Sequence, residues 1–176
     1  YGMLLCVGPT GSGKSTIAAA LFRLPEGISD QQAAAVLLKG ITTEFLIRRL
    51  HRVEPGETIL FHAGAGGVGQ ILVQWAKAIG ATVIATVGSE AKAEQARAHG
   101  ADHIILYRDQ DVAKTVREIT GGAGVPVAYD SVGKDTFEGT LGSLARRGLF
   151  VSFGNASGAV TGVDLGILAA ADEVFV

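Results

Sequence analysis

The chain has 176 residues and a formal charge of −2 at pH 7. A chain of this length can bury roughly 70% of the surface of its unfolded form, which is enough for the core of one domain. It is too short for two full nucleotide-binding domains. The balanced charge carries no signature of a nucleic-acid or membrane partner. The single cysteine, Cys6, excludes an internal disulfide and a cysteine-rich zinc site. With no apolar run of membrane-spanning length, we expect a cytoplasmic protein.

Apolar runs of strand length alternate along the chain with runs of helical periodicity. We predict strands at residues 3–7, 58–63, 81–87, 103–107, 125–130, 148–153 and 173–176. We predict helices at residues 14–23, 30–39, 43–51, 67–79, 90–99, 110–120, 135–145 and 164–171. The strands are nearly continuous in apolar residues, as in a parallel sheet that is covered on both faces. The alternation therefore predicts an α/β fold with a doubly wound, mostly parallel sheet of about seven strands.

Polar residues and glycines mark several of the helix ends. Ser29 followed by Gln32 predicts a capping box at the start of a helix. Helical runs are followed by Gly80, Gly100, Gly121 and Gly148. Each of these glycines is predicted to be the left-handed residue that ends its helix.

The first of two glycine-rich loops, residues 8–16, reads Gly-Pro-Thr-Gly-Ser-Gly-Lys-Ser-Thr and fits the P-loop pattern G-x-x-x-x-G-K-[ST]. Its backbone N–H groups would cradle phosphates, Lys14 would reach the β- and γ-phosphates, and Ser15 would bind Mg²⁺ when a triphosphate is present. The predicted phosphate-binding residues are Gly8, Thr10, Gly11, Ser12, Gly13, Lys14, Ser15 and Thr16. No Walker B acid or arginine finger is identifiable, so we predict ATP or phosphate binding with little hydrolysis. Alternatively, this βα unit only completes a sheet edge.

The second loop, residues 64–69, reads Gly-Ala-Gly-Gly-Val-Gly and fits the dinucleotide pattern G-x-G-x-x-G between a predicted strand and a predicted helix. Gly64 is expected to allow the tight turn, Gly66 to let a pyrophosphate approach the backbone, and Gly69 to let helix and strand pack closely. The helix N-terminus would offer N–H groups and partial positive charge to the phosphates. The loop therefore predicts a dinucleotide site.

The end of the following strand indicates which dinucleotide. NAD sites place an acid there, but this chain reads Ala85-Thr86-Val87-Gly88-Ser89. Ser89 and Lys92 would instead offer a hydroxyl and an ammonium group to a 2′-phosphate, which favours NADP(H). Two observations leave alternatives open: Glu90 is a nearby acid, and Lys92 is also compatible with an ordinary solvated helix position.

Residues 24–172 resemble the cofactor domain of zinc-free quinone oxidoreductases, the zeta-crystallin group of medium-chain reductases. The resemblance rests on Leu24–Arg49, Phe61–Lys77, Val127–Gly133 and Arg147–Gly158. It implies that Lys92 and Tyr107 hold the 2′-phosphate, and that the turn at 153–155 and the strand end at 130–132 adjoin the nicotinamide. It also implies the strand order 3-2-1-4-5-6 and no need for a metal. The predicted cofactor-binding residues are Gly64, Gly66, Gly67, Val68, Gly69, Ser89, Lys92, Tyr107, Ser131, Val132, Phe153, Gly154 and Asn155.

The first 22 residues do not fit that group, whose members have an N-terminal domain that closes the nicotinamide pocket and binds the quinone. These residues resemble the Walker A segment of secretion and pilus-type hexameric ATPases. We therefore predict an engineered chimera, with a P-loop βα unit at 1–23 and a Rossmann-like domain at 24–176 that pack as one compact domain. Without a substrate domain, it is expected to bind NADP(H) with weak or no reductase turnover, as a monomer or homodimer. The alternatives are a truncated natural fusion, an ATP- or GTP-binding P-loop protein, and a purely structural chimera.

Overall fold

The computed structural model describes residues 26–164 and 166–167. The predicted strands at 3–7 and 173–176, the P-loop and the helix after it lie outside the described residues. The chain divides between Thr42 and Thr43 into two compact units, and the sheet described below belongs to the second. None of the helices in the described part of the chain is long and apolar enough to cross a lipid bilayer.

Helix α1 spans Asp30–Glu44 and begins at the predicted capping box. The backbone N–H of Ser29 donates to Oε1 of Gln32 at 2.9 Å, and the N–H of Gln32 donates to Oγ of Ser29 at 3.3 Å. The predicted break between residues 39 and 43 is wrong, because the helix continues through Gly40. A π-helical turn at Phe45–Leu50 follows α1 directly.

The second unit alternates strands with helices, as the sequence predicts. The elements are β1 (Thr58–His62), α2 (Gly67–Ile79), β2 (Thr82–Val87), α3 (Glu90–Ala98), β3 (His103–Leu106), α4 (Val112–Ile119), β4 (Val125–Asp130), α5 (Phe137–Ser143) and β5 (Leu144–Ser152). The strands pair in parallel in the order β3-β2-β1-β4-β5. The parallel α/β sheet is confirmed, with five strands in the described residues rather than about seven.

Helices cover both faces of this sheet because successive strand residues point to opposite sides. In β1, Ile59 and Phe61 belong to a buried cluster that includes Leu72 of α2. Leu60, between them, belongs to a second cluster that includes Val116 of α4 and residues of α5. The doubly wound arrangement therefore follows from strands that are apolar on both faces.

The prediction was wrong where α5 meets β5. Gly148 does not end a helix, since α5 stops at Ser143 and β5 runs from Leu144 through Gly148 to Ser152. The left-handed residue is Arg147, with φ 61°. The pairing of β5 with β4 shifts register between Val125 and Val127. Val125 pairs with Leu144 and Val127 pairs with Leu149, so β5 carries three extra residues across this irregularity. These residues occupy the place where the sequence predicted a helix-to-strand turn.

The strand order reverses beside β1, which pairs with β2 on one side and with β4 on the other. The connections that leave the adjacent strands β1 and β4 lead to helices on opposite faces of the sheet, so their loops diverge and leave a crevice at the carboxyl ends of the strands. Ligands of open α/β sheets bind at this position.

Candidate cofactor-binding site

A cleft of about 440 Å³ lies at the carboxyl ends of the strands. The loops that follow all five strands contribute to it. Its lining residues are Ala63, Ala65, Gly66, Val87, Gly88, Ser89, Lys92, Tyr107, Arg108, Val132, Asp135, Ala156 and Ser157. The cleft therefore coincides with the crevice that the strand order creates.

The glycine-rich loop forms one wall and is held in a tight turn. The N–H of Gly66 donates to the carbonyl oxygen of Ala63 at 2.8 Å, and Gly66 is the N-cap of α2. A β carbon on Gly69 would lie 2.5 Å from the carbonyl oxygen of Ala63, so no larger residue fits there without a shift. A β carbon on Gly64 would lie 2.6 Å from Cβ of Ala85. The loop is thus pressed against its own helix and against β2, as the glycine spacing predicts.

The sequence pattern does not reveal the conformation of Ala63. This residue has φ 58°, in the left-handed region that favours glycine. It occupies the bend between β1 and the glycine-rich loop, where its carbonyl oxygen accepts the bond from Gly66. The left-handed residue at this bend therefore falls one residue before the glycine pattern begins.

The far end of the cleft carries three of the predicted residues together: Ser89, Lys92 and Tyr107. Ser89 is the N-cap of α3, and Lys92 lies in the first turn of that helix. Tyr107 follows β3 and lies against Gly88, where an added β carbon would be 3.4 Å from the phenol oxygen. Side chains 18 residues apart in the sequence thus meet at one end of the cleft.

Glu90, the acid that left NAD open as an alternative, does not line the cleft. Its Oε1 atom lies 3.1 Å from Nη1 of Arg97, which also pairs with Glu94. The carboxylate of Glu90 is therefore engaged with a cation on its own helix. The strand end beside Ser89 offers the cleft a hydroxyl and cations rather than a carboxylate.

Five residues that were predicted to adjoin the nicotinamide belong neither to the glycine wall nor to the charged end. They are Ser131, Val132, Phe153, Gly154 and Asn155. Phe153, Gly154 and Asn155 line a separate open depression of about 560 Å³, together with Ser152, Ala159 and Val160. The loop that contains them is tied to the end of β4, because the N–H of Ala156 donates to the carbonyl oxygen of Ser131 at 3.1 Å. Val132 does line the main cleft.

Two further predicted residues, Gly67 and Val68, lie in the first turn of α2, behind Gly66.

A buried carboxylate beneath the cleft holds the turn after β4. Asp130 is fully buried, and its Oδ1 atom accepts hydrogen bonds from the N–H groups of Val132 at 2.7 Å and Gly133 at 3.0 Å. Its Oδ2 atom accepts from the hydroxyls of Thr136 at 2.7 Å and Thr140 at 3.0 Å. Four donors satisfy this carboxylate, so its role is to shape the turn on which Val132 sits.

His62 extends this polar network to the other side of β1. Its ring is buried between the hydroxyls of Thr86 on β2 and Thr140 on α5, each 2.9 Å from a ring nitrogen. Burial lowers the pKa of His62 to about 4, although the nearby charge of Asp130 opposes that shift. The ring is therefore neutral at pH 7. Its two hydrogen bonds join β1 to β2 and to α5.

The sequence prediction missed Arg108 and Asp135, which bring charge to the cleft. Arg108 directly follows Tyr107, and Asp135 lies in the turn that Asp130 holds. A charged residue beside a predicted strand end is the signal that could have singled out Arg108. Asp135 has no such signal, because its place depends on how the turn after β4 folds back.

The match to a known family covers residues 67–173, more than half of the chain, and the family is described as zinc-binding dehydrogenase. The chain belongs to this family. Across residues 26–164 and 166–167, no group of three or more His, Cys, Asp or Glu side chains is placed to hold a metal ion. The described residues therefore do not fit a zinc site.

Comparison with individual relatives shows which members of the family the chain is similar to. The chain is 56% identical to a quinone oxidoreductase from Pseudomonas aeruginosa over 156 residues. It is 47% identical to a 2-haloacrylate reductase from Burkholderia over 153 residues. These matches cover 89% and 84% of this chain but 48% and 46% of the relatives. The predicted resemblance to quinone oxidoreductases is confirmed, and the chain spans about half the length of these relatives.

Among solved structures, the chain is also similar to quinone oxidoreductases. The quinone oxidoreductase of Escherichia coli, solved as a complex with NADPH, superposes with a TM-score of 0.84 at 55% identity. A quinone oxidoreductase from Pseudomonas syringae superposes with a TM-score of 0.85 at 55% identity. The alignments cover 86% and 88% of this chain and 47% of each structure.

Proposed function

We propose that this chain is the NADP(H)-binding part of a reductase. The observation that carries the proposal is the meeting of Ser89, Lys92 and Tyr107 at one end of a cleft whose other wall is a G-x-G-x-x-G loop. The Escherichia coli relative, at 55% identity, was solved with NADPH. The cofactor fits the cleft by its chemistry as well as by this likeness.

The glycine wall suits the pyrophosphate. Gly66 caps α2 and leaves no side chain between the helix N-terminus and the cleft. The first N–H groups of a helix lack partners within the helix and carry partial positive charge, so they bind phosphate oxygens. In this role Gly67 and Val68 would present backbone N–H groups, while Gly66 keeps the wall free of a side chain and Gly64 and Gly69 keep the loop close to the sheet.

The charged end suits the 2′-phosphate. Lys92 would provide an ammonium group, and the hydroxyls of Ser89 and Tyr107 would donate hydrogen bonds to phosphate oxygens. Because Glu90 is paired with Arg97, no acid at this strand end competes for the ribose hydroxyls. The arrangement favours NADP(H) over NAD(H).

The relatives suggest the class of acceptor. Quinones and 2-haloacrylates share an electron-poor conjugated carbonyl system, and the bound nicotinamide supplies a hydride that, with a proton from water, reduces such a system by two electrons. We place the nicotinamide end at Phe153, Gly154 and Asn155, beside Ser131 and Val132. The relatives are about twice as long as this chain. Hydride transfer requires donor and acceptor to be held in a fixed geometry, so reductase turnover would need the half of the relatives that has no counterpart in the match.

Titration calorimetry with NADPH and NADH tests the proposal. One charge-assisted contact to the 2′-phosphate contributes about 1.5–3 kcal/mol, so NADPH should bind at least about tenfold more tightly than NADH. Equal affinities would contradict the assignment of the charged end. A chain that binds neither nucleotide would contradict the proposal as a whole.

The P-loop pattern at residues 8–16 supports a separate hypothesis, in which the chain is a chimera that also binds Mg·ATP. Its support is the sequence motif alone, because these residues lie outside the described structure. The family match, at residues 67–173, does not extend to it. Calorimetry with Mg·ATP, alone and after saturation with NADPH, separates this hypothesis from the first.

A further inference from the structure

We propose that Arg108 is a second cation for the 2′-phosphate and that it determines, together with Lys92, the preference for NADPH. This inference rests on the proposed function. It adds a residue that neither the glycine pattern nor the residues after β2 single out.

The position of Arg108 places a guanidinium group at the charged end of the cleft. The residue lies just beyond β3, next to Tyr107, and lines the cleft together with Lys92. Its Nε atom would be 3.5 Å from a β carbon added to Gly88, so the side chain passes close to the end of β2. Ser89 and Lys92 follow that strand end directly.

The Tyr107 ring fixes the direction of this side chain. The guanidinium carbon of Arg108 lies 5.8 Å from the centroid of the ring. A guanidinium within about 6 Å of an aromatic face is attracted to it, which reduces the freedom of the side chain. Tyr107 would thus serve twice, as a hydroxyl donor and as a platform for Arg108.

Both cations are available for a ligand. Lys77 pairs with Asp102, Arg97 with Glu90 and Glu94, and Arg49 with Glu44. Neither Lys92 nor Arg108 has a carboxylate partner among the residues that the structure describes. Among the described residues that line the cleft, Asp135 is the one acid, and no ion pair joins it to Lys92 or Arg108.

Charge balance calls for both cations. A phosphate monoester carries a charge of about −1.5 to −2 at pH 7, so one ammonium group leaves it only partly neutralised. A planar guanidinium can bind two phosphate oxygens at once, which an ammonium group cannot do with the same geometry. Lys92 and Arg108 together match both the charge and the shape of the group.

An alternative role would be stacking of the guanidinium on the adenine ring. NADH and NADPH share the adenine, so stacking would stabilise both complexes equally. A phosphate contact would stabilise the NADPH complex alone. The two roles are therefore separated by the ratio of the two affinities rather than by either one.

The test compares Arg108→Ala and Arg108→Lys with the unchanged chain, using calorimetry with NADPH, NADH and adenosine 2′,5′-bisphosphate. We expect Arg108→Ala to weaken NADPH and the bisphosphate about tenfold or more, and NADH less than about twofold. Arg108→Lys should recover part of the loss, because it keeps the charge but not the fork of donors. The matched control is Arg52→Ala, which removes the same charge from an exposed pair with Glu54. This pair precedes the amino end of β1, whereas the cleft lies at the carboxyl ends of the strands.

Three results would overturn the inference. Equal weakening of NADPH and NADH would assign Arg108 to a shared part of the cofactor, such as the adenine. Unchanged affinities, in a variant whose circular dichroism and melting temperature match those of the unchanged chain, would make Arg108 an ordinary exposed residue. In both cases the unchanged chain still prefers NADPH, so the proposed function stands. If the unchanged chain binds neither nucleotide, the proposed function fails and the role of Arg108 fails with it.

Discussion

The Nε2 atom of His62 lies 2.9 Å from the hydroxyl of Thr140, although 78 residues separate them in the sequence. The Thr140 hydroxyl has one proton, and it also contacts two acceptors, Oδ2 of Asp130 at 3.0 Å and the carbonyl oxygen of Thr136 at 2.7 Å. Because that proton goes to an acceptor, Nε2 of His62 must donate to Thr140. The Nδ1 atom then accepts from the hydroxyl of Thr86 at 2.9 Å. In the neutral ring that burial favours, the hydrogen-bond pattern therefore places the proton on Nε2.

We predict that this neutral ring makes stability depend on pH. The pKa of His62 is about 4 in the folded chain and 6.5 in an unfolded one. The unfolded state therefore takes up a proton first, and the free energy of unfolding falls as pH drops from about 6.5 to about 4. The contribution lost is on the order of 3 kcal/mol. Urea unfolding between pH 7.5 and 4.5 measures it.

The control separates His62 from the other groups that titrate in this range. His62→Gln should flatten the dependence on pH, whereas His103→Gln, at an exposed position, should leave it unchanged. If both variants keep the slope of the unchanged chain, the assignment of the slope to His62 is wrong.

A second prediction concerns the close packing of the glycine-rich loop. A β carbon on Gly69 would lie 2.5 Å and 2.6 Å from the carbonyl oxygens of Ala63 and Gly64. Gly69→Ala should therefore destabilise the chain by about 1–3 kcal/mol, because backbone rather than a flexible side chain must move. Thermal unfolding measures the loss, and NADPH affinity should fall as well.

Gly40→Ala is the matched control for that substitution. No atom lies within 4 Å of the β carbon it would add, and the residue is inside α1. It should raise stability slightly, since alanine favours a helix by about 1 kcal/mol over glycine. Equal melting temperatures for both variants would contradict the packing argument.

A third prediction concerns Lys92. Lys92→Ala should weaken NADPH by about tenfold or more and NADH much less, because in the proposed complex the ammonium group would contact the 2′-phosphate alone. Lys114→Ala, on the exposed side of α4, removes the same charge away from the cleft. Equal weakening of both nucleotides by Lys92→Ala would rule out the 2′-phosphate role.

A fourth prediction tests the P-loop hypothesis. If residues 8–16 bind a triphosphate, Lys14→Ala should abolish the calorimetric signal for Mg·ATP while leaving NADPH binding unchanged. An unchanged affinity for Mg·ATP would end the hypothesis. Absence of any signal with the unchanged chain would do the same.

The sequence predicted the five described strands and their succession along the chain because long apolar runs and their helical connections are local signals. Their order in the sheet came from the family resemblance. It failed at Gly40 and Gly148. A glycine inside a helix costs only about 1 kcal/mol, so α1 tolerates Gly40. Gly148 lies in an irregular strand whose register depends on β4, and no local pattern records that.

The site was predictable where residues lie next to a motif. Gly66, Ser89, Lys92, Tyr107 and Val132 were predicted and do line one cleft. The network beneath the cleft was not predictable, because it depends on strand register. His62 and Thr86 are partners in the pairing of β1 with β2, and a shift of one residue would separate them.

The parallel sheet has a consequence for how the chain is made. The cleft takes residues from Ala63 to Ser157, and β4 pairs with both β1 and β5. Pairings between distant parts of a chain form slowly. During synthesis Gly69, the last residue of the glycine-rich loop, leaves the ribosome 88 residues before Ser157, so the cleft is incomplete until β5 and the loop after it have emerged. If the chain binds a nucleotide as proposed, capture would therefore be a late event in its synthesis, after the five-stranded sheet has formed.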